Sequence, residues 1–219
     1  MIIPGKYRHY KGNEYEAIDV AKHSETLEDM VVYRALYGEH GLWARPAGMW
    51  SEIVNVDGKE VERFTKIQDA DYDFIIQSVK AIIANVDNEI SNMANIAAIL
   101  WEQLSNINWV GFYTMRDDEL QLGPFQGKTA CTRIAVGKGV CGTAVANDET
   151  QLVENVHEFP GHIACDSASN SEIVIPIHKE GKVWGVLDID SPSIGRFNEE
   201  DRKGLEAVVA TFEKTISNN

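Results

Sequence analysis

Residues 172–190 leave little freedom in how they fold. EIVIPIHK and KVWGVLDID are two apolar, β-branched runs joined by Glu180-Gly181, a two-residue connection that reads as an antiparallel hairpin. Val186, Leu187 and Ile189 make the second run a well-packed strand, so the hairpin belongs to a larger sheet. Upstream, NWVGFYTM, the turn Asp117-Asp118-Glu119, ELQLGPF, TACTRIAV and TQLVENV continue the strand pattern. A short helix, VCGTAVAND, interrupts it, and an irregular stretch, HEFPGHIACDSASN, precedes the hairpin.

Helical stripes flank this sheet on both sides. Ile75, Val79, Ile82 and Val86 recur at helical spacing, with Asp71 or Asp69 placed to cap the start. Ile90, Met93, Ala97, Leu100 and Leu104 form a second stripe. Both read as core-facing surfaces or as part of a dimer seam. A last helix, capped by Asn198, turns Leu205, Val208, Val209, Phe212 and Ile216 inward. Helices at both ends of a mostly antiparallel sheet give an α+β fold.

Residues 1–67 follow a different pattern, with short strands such as Met30–Tyr33 and Glu52–Val54 and turns at Lys11-Gly12-Asn13 and Asp57-Gly58. A small all-β, barrel-like domain fits best. Its aromatics (Tyr7, Tyr10, Tyr15, Tyr33, Tyr37, Trp43, Trp50, Phe64) are expected to fill its core. The expected organisation is therefore a β domain at 1–67 and an α+β domain at 68–219. With 219 residues and 44% hydrophobic content, the chain supports one ordinary core and a smaller second one.

Charge separates the halves further. Residues 1–67 hold 9 Lys+Arg and 11 Asp+Glu, whereas the remainder holds 11 and 23, for a total of -14. Such a field repels phosphate backbones, so no nucleic-acid partner is expected, while cationic or zwitterionic small molecules are compatible. No apolar run approaches the roughly 20 residues that cross a bilayer, and the start lacks a signal-peptide pattern. The expectation is a cytoplasmic protein without membrane contact. Three cysteines do not make a secreted disulfide framework, and any disulfide should be transient.

Those cysteines, Cys131, Cys141 and Cys165, are spaced C-x9-C-x23-C. Small buried hydrophobe is the ordinary fate of a free cysteine, and Cys131, in an alternating strand, fits it. Cys141 sits at a helix start, where the helix dipole would lower a thiol pKa, and Cys165 lies in a loop too polar to be core. Structural and reactive roles both stay open on this evidence. A zinc site of the cysteines with His157 or His162 lacks the close ligand pairs usual for structural zinc, so no metal is expected. No G-x-S-x-G occurs, and G-K-G-V-C-G at 137–142 lacks the setting of a nucleotide loop.

A second cluster is acidic. Asp188 and Asp190 lie two apart on one strand and so share a face, and Glu172 opens the strand beside it. Carboxylates crowded on one face of a packed strand raise one another's pKa values and leave a proton available near neutrality.

Together these runs resemble the free methionine-(R)-sulfoxide reductases, which have a GAF-type fold. The resemblance rests on NWVGFY, LGPFQGK-x-AC-x-RI, VG-x-GVCGTA, GHIACD-x-ASNSEI and GVLDIDS followed by GRF, and with the flanking helices spans residues 69–217. It implies Cys165 as nucleophile, Cys131 as resolving thiol and Cys141 as accessory cysteine or alternate nucleophile. It also implies Trp109 and Tyr113 as the aromatic pocket and Glu172, Asp188 and Asp190 as acidic substrate-binding and catalytic residues. The implied enzyme needs no cofactor. It takes free methionine (R)-sulfoxide as substrate in oxidative stress and a thioredoxin-like dithiol donor as partner, and it can be a homodimer. The rival reading is a GAF domain that senses a small molecule without chemistry. Residues 1–67, through GKYRHYKGNEYEAI and the run from Trp43 to Trp50, resemble a compact bacterial domain of unassigned function.

Overall fold

The structure, a computed structural model, describes residues 2–67, 70–161 and 168–217. The chain divides into two compact units, Met1–Asp69 and Ala70–Asn219.

The first unit contains strands β1 (Gly5–His9), β2 (Glu14–Lys22), β3 (Asp29–Ala35) and β4 (Leu42–Pro46), then a one-turn helix α1 (Ala47–Trp50). Strands β5 (Ile53–Val56), β6 (Lys59–Glu62) and β7 (Phe64–Lys66) complete it. Five strands form one antiparallel sheet in the order β4-β3-β2-β1-β7, and β5 pairs with β6 as a separate ribbon. The sheet is open, with β4 and β7 as its edges. Asp57-Gly58 turns the ribbon with φ of 51° and 82°, the double positive φ of a tight hairpin turn. Tyr7, Tyr33, Trp50 and Phe64 fill the core, Trp50 lying flat on Phe64 at 3.9 Å. Tyr10, Tyr37 and Trp43 face solvent instead, the last 61% exposed. A core this small closes over four aromatic rings and has no room for all eight.

The second unit opens with helices α2 (Tyr72–Ile83) and α3 (Glu89–Gln103), followed by strands β8 (Trp109–Arg116), β9 (Glu119–Gly127) and β10 (Arg133–Ala135). Helix α4 (Gly139–Asn147), β11 (Gln151–Val153), a 3-10 turn (Val156–Glu158), β12 (Ser171–Lys179), β13 (Lys182–Ser191) and helix α5 (Glu199–Ile216) complete it. The six strands make one antiparallel sheet in the order β10-β9-β8-β13-β12-β11. Among the described residues, no helix is long and apolar enough to cross a membrane.

Side-chain alternation splits this sheet into two faces. Val110, Phe112, Ile173, Ile175, Ile177, Leu187 and Ile189 point to one side. There they meet Ile75, Val79, Ile83, Met93, Ile96, Leu100, Leu205, Val208 and Phe212 from α2, α3 and α5 in the main core. Asp71 accepts from the Phe74 amide at 3.0 Å and caps α2, and Asn198 and Asp201 form a reciprocal capping box on α5. Asp201 is fully buried, ion-paired with buried Arg196 at 3.2 Å and hydrogen-bonded by the Tyr72 hydroxyl at 2.8 Å, which ties α5 to α2.

Two details of the helical stripes differ from the sequence pattern. Helix α2 ends at Ile83, so Ile83 rather than Ile82 is its last buried residue, and Val86 lies beyond it. Ile82 and Ile90 are 45% and 62% exposed, whereas Ile83, one residue beyond Ile82, is buried. TACTRIAV is also less of a strand than its alternation suggests: β10 covers only Arg133–Ala135, and Cys131 precedes it.

Candidate active site

The opposite face of the sheet carries the polar chemistry. Cross-strand register sets Trp109 beside Asp190 and Asp190 beside Glu172, and sets Gly111 beside Asp188 and Asp188 beside Val174. Residues paired in register share a face, so Trp109, Gly111, Tyr113, Glu172, Asp188 and Asp190 all point away from the three packed helices. Helix α4 lies against this face and brings Cys141 down onto it. The sequence expectation that three carboxylates share one face is met.

Between α4 and the sheet is a cavity of about 40 Å³. Trp109, Tyr113, Cys141, Glu172, Asp188 and Asp190 all line it. Thr129, Ala130, Ile134, Lys138 and Ser169 line it too, and no reactive side chain singled them out in the sequence; they come from the loop before β10, β10 itself, the start of α4 and the approach to β12.

Glu172 and Asp188 are each only 6% exposed. Burial pushes both carboxyls up, and Glu172 is raised further by the charges of Asp188 and Asp190. Asp188 reaches about 7 from an ordinary 3.8, even though hydrogen bonds with Cys141 and Glu172 pull the other way. The Cys141 thiol donates toward Glu172 Oε1 at 3.9 Å. Its pKa is raised, by burial first and then by Asp188 and Glu172, which corrects the expectation from its helix position. Cys141 does stand in the first turn of α4, but desolvation and adjacent carboxylates outweigh a dipole effect of about 1 kcal/mol. The Cys141 sulfur and one carboxylate oxygen from each of Glu172 and Asp188 lie within 4.8 Å of one another, the one such potential metal-holding group among the described residues.

Aromatic rings build the other wall. The Trp109 indole donates to the Lys128 carbonyl at 3.1 Å and stacks near Phe125 at 5.4 Å and Tyr113 at 5.9 Å. Two glycines make room for it. A Cβ on Gly111 would sit 2.4 Å from Phe125 Cβ and 2.6 Å from Trp109 Cη2, and one on Gly127 would meet Trp109 Cδ1 at 2.8 Å. The Tyr113 hydroxyl donates to the Cys131 carbonyl at 3.1 Å, and burial and the surrounding carboxylates hold it un-ionised.

Cys131 is half-buried and disulfide-bonded, whereas Cys141 is a free thiol. Cys165 and His162, within residues 162–167 of the irregular loop, lie outside the described residues. His157 hydrogen-bonds Asn170 at 2.8 Å on the exposed side of the 3-10 turn.

Comparison with known proteins follows this geometry. Residues 91–217 match the family described as GAF domain, and residues 5–66 match a family described as a protein of unknown function, DUF1653. The free methionine-R-sulfoxide reductase of Escherichia coli (strain K12) is 55% identical over 137 residues, 63% of this chain and 83% of that protein. The solved reduced form of fRMsr of Staphylococcus aureus superposes with a TM-score of 0.67 at 48% identity, over 69% of this chain and 99% of that one. The free methionine-R-sulfoxide reductase of Neisseria meningitidis, solved in complex with its substrate, gives 0.65 at 42% identity, over 66% of this chain and 87% of that one. With the GAF family matched over more than half the chain, and a reductase at 55% identity covered over 83% of its length, this chain belongs to the free methionine-R-sulfoxide reductase family of GAF-domain enzymes.

Proposed function

We propose that the chain reduces the R-sulfoxide of free methionine to methionine in the cavity beneath α4, through a cysteine sulfenic acid and an intramolecular disulfide. The observation that carries this reading is a buried pair of carboxyls, Glu172 and Asp188, held up toward neutrality beside an aromatic wall. A sulfoxide sulfur is a poor electrophile until its oxygen is protonated, and a carboxylic acid still protonated near pH 7 supplies that proton. Asp190, half-buried at the same face, is then the carboxylate that holds the substrate ammonium. Trp109 packs on the S-methyl end and selects the epimer by shape.

The Cys165 thiolate attacks the protonated sulfoxide sulfur, methionine leaves, and the oxygen stays on Cys165 as a sulfenic acid. Cys131 condenses with it, forming a disulfide and releasing water. A thioredoxin-like dithiol reduces that disulfide by exchange, so the sum is sulfoxide plus dithiol giving methionine, water and disulfide. Two observations support this division of roles. Cys131 is already in a disulfide, as a resolving thiol must be able to be. Cys141 is a buried thiol whose raised pKa leaves it protonated at neutrality, which makes it a weak nucleophile and favours Cys165.

Single-turnover chemistry tests the assignment. Cys131→Ser is expected to release about one methionine per site and then stall without external thiol. Cys165→Ser releases none. Full multiple turnover in Cys165→Ser, with loss in Cys141→Ser, overturns the nucleophile assignment.

A further inference from the structure

We propose that Cys141, Glu172 and Asp188 form a binding site for one divalent zinc ion, which competes with substrate for the cavity. The ligand set is the first reason. Zinc, a borderline ion, accepts both a soft thiolate and hard carboxylates, and three protein ligands with one open position is the arrangement it adopts in enzyme clefts. Geometry is the second. With Zn–S of about 2.3 Å and Zn–O of about 2.1 Å, a tetrahedral site needs its sulfur and oxygen about 3.6 Å apart. Cys141 Sγ and Glu172 Oε1 are 3.9 Å apart, and the trio's donor atoms all lie within 4.8 Å, so small side-chain rotations close the set.

The third reason is an oxygen that nothing engages. Asp188 lines the cavity, is only 6% exposed, and its Oδ1 has no hydrogen-bond partner among the described residues. A buried carboxylate oxygen left in that state carries a desolvation penalty that an incoming cation relieves. No basic side chain forms an ion pair with Glu172 or Asp188 among the described residues, so a metal is not displacing a resident cation. Binding drives the thiol proton into solvent as the Zn–S bond forms, with no change of oxidation state.

The site uses a cysteine outside the disulfide, and this separates it from zinc held by the other two. Metal-stripped full-length protein is dialysed against zinc chloride, both air-oxidised and reduced with a phosphine, and bound zinc is measured by elemental analysis. One zinc per chain in both states is expected, at least tenfold weaker in Cys141→Ser and in Asp188→Asn, with both variants checked for folding by circular dichroism. Cobalt(II) in place of zinc should give a sulfur-to-metal charge-transfer band that Cys141→Ser lacks. Zinc bound only by the reduced form, or bound equally by Cys141→Ser, overturns the site. These readouts do not depend on turnover, so they fail or succeed independently of the proposed reaction. Inhibition by zinc that rises as substrate falls, and is reversed by a chelator, is the expected kinetic consequence; inhibition independent of substrate concentration refutes the competition.

Discussion

Replacing Asp188 with Asn should make the protein more stable at alkaline pH while costing activity. The Asp188 carboxyl has a folded-state value near 7 against an ordinary 3.8, chiefly because it is buried. A group raised in the folded state contributes stability that is complete below its unfolded pKa and is lost as pH rises through its folded pKa. The loss should therefore run from about pH 4 to about pH 7, at ~1.4 kcal/mol per unit. Between pH 5 and pH 8 the native state should lose ~3 kcal/mol from this group alone. An asparagine has nearly the same shape, cannot ionise, and can donate to Glu172, so Asp188→Asn escapes that loss. Urea unfolding of reduced wild type and variant, followed by circular dichroism at pH 5 and pH 8, should show a variant advantage that grows by about 2–4 kcal/mol, a midpoint difference on the order of 1–2 M. An equal effect of the substitution at both pH values refutes the reasoning, because it means the carboxylate is as well accommodated ionised as protonated.

Further outcomes follow from the same geometry. Gly111→Ala forces a Cβ to within 2.4 Å of Phe125 Cβ and 2.6 Å of the indole of Trp109, and is expected to cost about 1–3 kcal/mol by overpacking and to raise KM more than it lowers kcat; an unchanged KM means the indole does not wall the substrate site. N-acylated methionine sulfoxide should react far more slowly than the free amino acid, and equal rates would remove the role given to a carboxylate in gripping the ammonium. Residues 68–219 expressed alone should keep kcat/KM within about tenfold of the full chain, ~1.4 kcal/mol of transition-state stabilisation; a folded, soluble fragment that loses more shows that residues 1–67 help to form the site.

The sheet and its acidic face were legible because both rest on short-range rules. The Glu180-Gly181 turn marks the hairpin and a period of two puts Asp188 and Asp190 on one side, whereas the placing of Glu172 opposite Asp190 depends on a bulge between Ile177 and His178 that shifts the turn's register by one residue. Caps were equally readable, since Asp71 and Asn198 act within their own helices. What escaped depends on tertiary burial. Cys141 has the sequence position of an activated thiol, yet the carboxylates that raise its pKa come from strands about 30 or more residues away. Gly111 reads as one small residue in an apolar strand until the indole of Trp109 is seen lying across it. The buried Arg196–Asp201–Tyr72 cluster joins residues far apart in the chain, and no local pattern announces it.

The central claim is tested most directly by NADPH oxidation coupled through thioredoxin reductase and thioredoxin, with the two epimers of free methionine sulfoxide supplied separately to the full-length protein. Sustained NADPH consumption with the R epimer, matched by methionine formed, and none above background with the S epimer is the predicted result. No turnover with either epimer, or equal turnover with both, contradicts the account.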